Sequence, residues 1–273
     1  MHLRLFIPTR GRVQSQRTWD CLPKQIQSRT VLICPRAEAK EHIQLGRNVI
    51  VSPVEGIAPK RQWIFDEFNR TERYLLMLDD DLVFFRRIDG TSWKLRVATH
   101  NDLIEMFNRI EQLLLSGYIQ VGVSPRAGNN RFFPNNIVEC TRITNIHGYD
   151  TKGVRDLGVH FFDPMMPTTF TMEDFHCTLS LLYRGGRNCL LTDFAWDQST
   201  SNFSGGCSIY RDSETQKVSA ELLAKRHPGF VKVVQKTTKT SWKGVQSSTG
   251  SRTDVVVYWR KAYEAGRLKR GEV

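Results

Sequence analysis

Tyr74-Leu75-Leu76-Met77-Leu78-Asp79-Asp80-Asp81 is the stretch on which the fold turns. Its first five residues carry no charge and predict a strand buried on both faces, as in parallel sheets covered by helices on each side. The run then empties into three carboxylates. At the carboxyl end of a parallel strand, side chains project into the crevice where open α/β sheets bind ligands. Three adjacent carboxylates repel one another, so a cation that neutralises them stabilises the cluster. Hard oxygen ligands of this kind suit Mg²⁺ or Mn²⁺, which bridge one or two carboxylates to substrate phosphates. Alternation along an extended chain puts Asp79 and Asp81 on one face and Asp80 on the other. An acidic loop or a helix cap is the other reading of the same residues.

Outward toward the N-terminus, strand and helix alternate. Leu3 to Pro8 is a short apolar run closed by Pro8-Thr9-Arg10-Gly11-Arg12, a turn signal. Thr30 to Pro35 and Asn48 to Pro53 are β-branched runs ending in proline, with a short helix over Ala37 to Leu45 between them. Pro59 suits the first turn of a helix, where its missing N–H is no loss. Ile57, Ile64, Phe65 and Phe68 then fit a buried helical face, with Lys60, Arg61 and Glu67 off it. The β-α-β-α-β order predicts an α/β fold with a mostly parallel central sheet flanked by helices.

Outward toward the C-terminus, His100 to Ser116 has a strong helical period, with Asn101 or Asp102 near its cap. Tyr118 to Val123 is the next strand. Arg126 to Asn136 is a polar loop carrying Phe132 and Phe133, Ile137 to Ile146 an edge strand, Thr171 to Tyr183 a helix and Asn188 to Thr192 a strand. Beyond about residue 196 the chain turns polar and basic and closes with a helix over Val255 to Leu268. This predicts a domain over 1–195, split into a nucleotide-binding half (1–98) and an acceptor half (99–195), followed by a basic region over 196–273.

The chain has 273 residues, 40% hydrophobic and 10% aromatic, enough to bury a core. Its net charge is +11, and Lys225 to Arg270 supplies most of it, with twelve Lys/Arg against Asp254 and Glu264. A basic region beside a balanced domain points to a polyanionic partner, nucleic acid before an acidic membrane surface, or to a solubilising tail. Cysteines at 21, 34, 140, 177, 189 and 207 show no CxxC spacing and read as reduced thiols. The N-terminus enters a strand directly, and no apolar stretch approaches the ~20 residues of a membrane span. A soluble, intracellular, cytoplasmic protein is expected.

Two further constellations flank the acids. Thr9, Arg10 and Arg12 follow the first strand, and Lys60-Arg61 opens the helix leading to the Asp strand. Turn N–H groups and arginine forks bind diphosphates, although each residue alone is also ordinary surface charge. Glu173-Asp174 opens a later helix. Carboxylates there suit the helix dipole, or serve as a general base on an acceptor hydroxyl. His227, beside Pro228, reads as a turn residue more readily than as a ligand.

The strand ending in Pro8-Thr9-Arg10, the helix with Lys60-Arg61, the strand ending in Asp79-Asp80-Asp81 and the later Glu173-Asp174 helix together resemble inverting GT-A glycosyltransferases over roughly residues 1–195. More narrowly, Ile7-Pro8-Thr9-Arg10-Gly11-Arg12, Leu78-Asp79-Asp80-Asp81, Thr171-Met172-Glu173-Asp174 and Ser204-Gly205-Gly206-Cys207 resemble phage-type DNA-base glycosyltransferases associated with base-hydroxylating dioxygenases. The resemblance implies transfer of a sugar from a UDP-sugar to a hydroxymethylated or hydroxylated pyrimidine in DNA, with Mn²⁺ or Mg²⁺. It implies that Thr9, Arg10 and Arg61 hold the nucleotide, with Arg12 and Lys60 beside them. Asp79 and Asp80 would contact ribose and metal, Asp81 would ligate the metal, and Asp174 would be the base supported by Glu173. Many relatives add a later histidine ligand, for which Asp197 and His227 are the nearest candidates here. Lys232, Lys236, Lys239, Lys243 and Arg252, interleaved with Phe230 and Trp242, suit contact with a DNA backbone, and Phe132, Phe133 or Trp242 could stack on a base or fill core. The competing readings are a glycosyltransferase acting on a polysaccharide or small molecule, a nucleotidyltransferase, and a non-catalytic DNA-binding module.

Overall fold

The computed structural model describes residues 3–88, 94–127, 134–198, 212–237 and 250–271. The chain opens with β1 (Arg4–Pro8), α1 (Arg17–Cys21), α2 (Lys24–Gln27), β2 (Thr30–Cys34), α3 (Arg36–Gln44), β3 (Val49–Val51), α4 (Ile57–Phe68) and β4 (Tyr74–Leu78). It continues with β5 (Leu82–Arg87), β6 (Leu95–Val97), α5 (His100–Leu115), β7 (Gln120–Pro125), β8 (Ile137–Glu139), β9 (Ile146–Asp150), α6 (Thr151–Asp156), α7 (Glu173–Tyr183) and β10 (Asn188–Gln198). Then come α8 (Ser213–Arg226), β11 (Val231–Thr237), β12 (Ser251–Val257) and α9 (Trp259–Lys269).

The central sheet has the order β3-β2-β1-β4-β9-β7-β10-β5-β6, with β8 beside β10. Among the described residues β5, β8 and β9 run against the other strands, so the sheet is mostly parallel. The two-residue period divides the interior into two cores. Leu5, Ile7, Leu76 and Leu78 face Trp19, Met106, Phe107 and Ile110 on one side. Phe6, Leu75 and Met77 face Ile64, Phe65, Leu179 and Leu181 on the other. Tyr74 to Leu78 is therefore apolar because each successive side chain enters a core.

Several boundaries differ from the expectations. The cap of α5 is Thr99, whose Oγ1 accepts from Asp102 N at 3.3 Å, while Asp102 Oδ2 accepts from Thr99 N at 2.7 Å. Asp102 is thus the third residue of a reciprocal box. The expected edge strand over 137–146 is instead the short β8, and the chain then returns as β9 through the middle of the sheet between β4 and β7. Gly148 permits that insertion, since a Cβ there would lie 3.0 Å from Ile110 Cγ2 and 3.2 Å from the Val121 carbonyl oxygen. The strand expected to end at Thr192 runs on to Gln198, with a register shift between Leu191 and Ala195 against β7. Val255 to Val257 belong to β12, not to the last helix; three β-branched residues in succession favour a strand.

The region after residue 195 is built onto the rest. Ala220, Leu223, Val255 and Ala262 are buried in the same core as Cys177, Leu179 and Leu182. α9 lies so close to α7 that a Cβ on Gly266 would meet the Leu182 carbonyl oxygen at 2.2 Å. Among the described residues no helix is long and apolar enough to cross a membrane.

Candidate active site

The loop after β1 meets the turn after β4 because the two strands are paired neighbours. Thr9 Oγ1 donates to Asp80 Oδ2 at 2.5 Å and accepts from Gln16 Nε2 at 2.7 Å. Arg12 Nη1 donates to Asp80 Oδ1 and lies 3.0 Å from Asp81 Oδ2. Thr18 ties the base of the turn, with its Oγ1 donating to the Asp79 carbonyl at 2.5 Å and accepting from Leu82 N at 2.8 Å. Lys60 is buried and donates to the Thr9 carbonyl at 3.1 Å, so it holds the loop from beneath; burial pulls its ammonium below the ordinary lysine value. Arg10 is peripheral, paired with Glu55 at 3.3 Å on the surface.

The expected sharing of a face by Asp79 and Asp81 stops at this turn. Asp80 and Asp81 leave the extended conformation, and Arg12 takes both of them. Asp79 keeps the strand's alternation and points to the other core side. There Arg61 Nη2 donates to its Oδ1 at 2.6 Å and Asn145 Nδ2 to its Oδ2 at 2.8 Å.

Arg61 also reaches α7, with Nη1 donating to Glu173 Oε1 at 2.7 Å. One buried guanidinium therefore bridges the end of β4 to the start of α7. Burial lowers the affinity of Arg61 for its proton, but Asp79 and Glu173 more than reverse this, and the guanidinium stays charged. Burial pushes Glu173 up to about 7, against the pull of Arg61. Asp174, next along the helix, accepts from Arg142 Nε at 2.9 Å and Nη2 at 2.7 Å, both on Oδ2.

Burial, then the neighbouring Asp79, push Asp81 up to about 6 despite Arg12. Asp79 is the most exposed of the three carboxylates, 29% against 7% for Asp80 and 12% for Asp81. Among the described residues no three His, Cys, Asp or Glu gather into a metal-enclosing group. The three carboxylates are hard oxygen donors of the kind a divalent cation takes, one or two at a time, with water in the rest of its shell.

The family described as TET-associated glycosyltransferase matches over residues 3–206. The chain belongs to that family. The match spans the loop after β1, the three aspartates, Arg61 and the Glu173-Asp174 pair, and ends before α8. Residues 1–349 of S. aureus TarS in complex with UDP-GlcNAc superpose with a TM-score of 0.53 at 14% identity, over 82% of this chain and 66% of that one. A second TarS structure gives 0.44 at 14% identity over 82% of this chain and 40% of that one. GalNAc-T7 with UDP, GalNAc and Mn²⁺ gives 0.41 at 10%, over 72% and 43%. The first of these supports the GT-A architecture; the lower scores carry no argument. The TET-associated chain thus spans just under two thirds of the TarS fragment. No curated protein matches it in sequence.

The remaining expected residues fall elsewhere in the fold. His227 follows α8 and is hydrogen-bonded within the fold to His176, with His176 Nδ1 and His227 Nε2 2.9 Å apart. Asp197 pairs with Arg126 at 3.3 Å on the surface. Lys232 is exposed on β11, and Lys236 lies 3.3 Å from Asp254. Lys239, Trp242, Lys243, Phe132, Phe133 and Ser204 to Cys207 lie outside the described residues. Sequence reasoning missed Asn145, Gln16, Thr18, Arg142 and Gln198, which accepts from Asn145 Nδ2 at 2.6 Å. The one local signal among them is Asn145, whose φ of 60° lies in the left-handed region that asparagine tolerates.

Proposed function

We propose that the protein transfers a sugar from a UDP-sugar to the hydroxyl of a hydroxymethylated or hydroxylated pyrimidine in DNA, with inversion at the anomeric carbon. The observation that supports this is the Arg61 bridge, which joins Asp79 of the acid cluster to Glu173 of the helix-borne carboxylate pair through one guanidinium. Thr9, Arg10 and Arg12 receive the nucleotide diphosphate, Lys60 holds their loop, Arg61 fixes Asp79 from beneath, and Asp79 and Asp80 receive the ribose. Asp79 and Asp81 point to different sides of this turn, so holding Mn²⁺ or Mg²⁺ between them would need one of the two to turn; the metal would supply positive charge to the departing diphosphate.

Asp174 is the base. It is paired with Arg142, whose side chain is 42% exposed, whereas Glu173 is locked to the buried Arg61. The acceptor oxygen forms a bond to the anomeric carbon as the bond from that carbon to the diphosphate oxygen breaks. The electron pair leaves with UDP, and the acceptor proton passes to Asp174. The DNA acceptor rests on the family's description together with the basic β11–β12 hairpin and the basic residues of α9.

Incubation with labelled UDP-sugars, divalent metal, and modified or unmodified DNA tests the reading. Label should enter modified DNA alone, with release of UDP. Labelling confined to lipid or free sugar would sink it, and pyrophosphate release would mark a nucleotidyltransferase instead.

A further inference from the structure

Arg142 does more than neutralise Asp174. Its guanidinium carbon sits 3.7 Å from the centroid of the Phe175 ring, so one face of the planar cation is covered. Phe175 is stacked in turn on Trp259, the first residue of α9, at 5.8 Å between centroids and 22° between planes. The stack Trp259–Phe175–Arg142 thus runs from the C-terminal region to the carboxylate assigned as base. Both donors of Arg142 that meet Asp174 lie on one edge of the guanidinium. With the Nε–Nη2 edge on Asp174 and one face on Phe175, the side chain is still 42% exposed.

A flat, delocalised cation backed by two aromatic rings is the kind of surface on which an unstacked nucleobase settles. A base stacked on that face lies beside Asp174, which meets the edge of the same guanidinium. We propose that Arg142, backed by Phe175 and Trp259, is the acceptor platform, taking the planar base of a nucleotide displaced from its helix. The proposal rests on the reading of a DNA base as acceptor given above and adds the residues that select a heterocycle over a sugar ring. It also assigns α9 a part in the reaction, through Trp259.

The test uses the full chain and steady-state transfer to an oligonucleotide carrying hydroxymethylated pyrimidine, with UDP affinity measured separately by calorimetry. Arg142→Ala and Arg142→Lys should each raise the acceptor KM by roughly tenfold or more, the range of base stacking on protein side chains, while UDP affinity stays near wild type. Trp259→Ala, which removes only the backing ring, should give a smaller rise in the same constant. Lysine keeps the charge beside Asp174 and loses the plane. Restoration of the acceptor KM by Arg142→Lys would therefore overturn the platform in favour of simple charge pairing. A fall in kcat alone in Arg142→Ala would overturn it too. If Arg142→Ala does not fold, Arg142→Lys and Trp259→Ala decide the question. Wild-type protein that labels no base-containing acceptor would instead mark failure of the underlying function, a result visible before any variant is made.

Discussion

At the scale of single residues, Arg61 is the residue on which two carboxylates depend. Removing it leaves Glu173 buried and unpaired and deprives Asp79 of its cation. Breaking a buried pair from one side is expected to destabilise by about 3–5 kcal/mol. Arg61→Met should show that loss in urea unfolding, whereas Arg61→Met with Glu173→Leu should regain most of it without regaining activity. Equal instability of the single and double variants would contradict this account. Asp174→Asn should lower kcat by roughly 10²–10⁴ with UDP affinity intact, as expected for loss of a base. The acids and arginines were legible because each borders or opens a strong periodic run. Arg142 and Asn145 were not, since their partners lie 32 and 66 residues away and no motif surrounds them.

At the scale of elements, the contact of α7 with α9 inverts a familiar rule. Glycine within a helix is ordinarily about 1 kcal/mol worse than alanine. Gly266→Ala should nonetheless destabilise, by roughly 1–3 kcal/mol, because the new Cβ would meet the Leu182 carbonyl oxygen at 2.2 Å and Gly185 N at 2.8 Å. A rise in Tm would show that α9 does not dock this closely. The His176–His227 contact joins α7 to the end of α8, faced by Arg184, Arg226 and Asp163. Burial lowers His176 to about 3 and His227 to about 4, the second helped by Arg226 and the first by His227. The unfolded chain therefore takes up protons first as pH falls. Stability should be lost from pH 6.5 downward, by at most about 1.4 kcal/mol per pH unit for each histidine. Comparing wild type with His227→Gln by urea unfolding between pH 6.5 and 5 isolates this part, and identical slopes would refute it. Among elements, β4 could be read at once because both its faces enter cores. β9 could not: Ile-His-Gly-Tyr-Asp has neither alternation nor an apolar run, and its place in the sheet is set by Gly148 fitting against β7 and α5.

At the scale of the whole molecule, charge and architecture divide the labour. The acids sit at the carboxyl ends of the sheet, while the excess of Lys and Arg lies after residue 225. DNA affinity should fall steeply with salt, and Lys232→Ala should lower that slope by about one. Asp254, shared by Lys236 and Arg252 at 3.3 and 3.1 Å, blunts the positive hairpin. Asp254→Asn should tighten DNA binding at low salt without changing UDP affinity; unchanged DNA affinity would place the DNA path elsewhere. The family match stops at residue 206, yet Ala220, Leu223, Val255 and Ala262 fill the core around Leu179 and Leu182. A gene shortened at that boundary would yield a chain with one side of α7 stripped bare and prone to aggregate. For the same reason, exchange of this C-terminal portion between related proteins would succeed only if the recipient's α7 carried a matching surface, so acceptor preference and the packing of α7 would be inherited together.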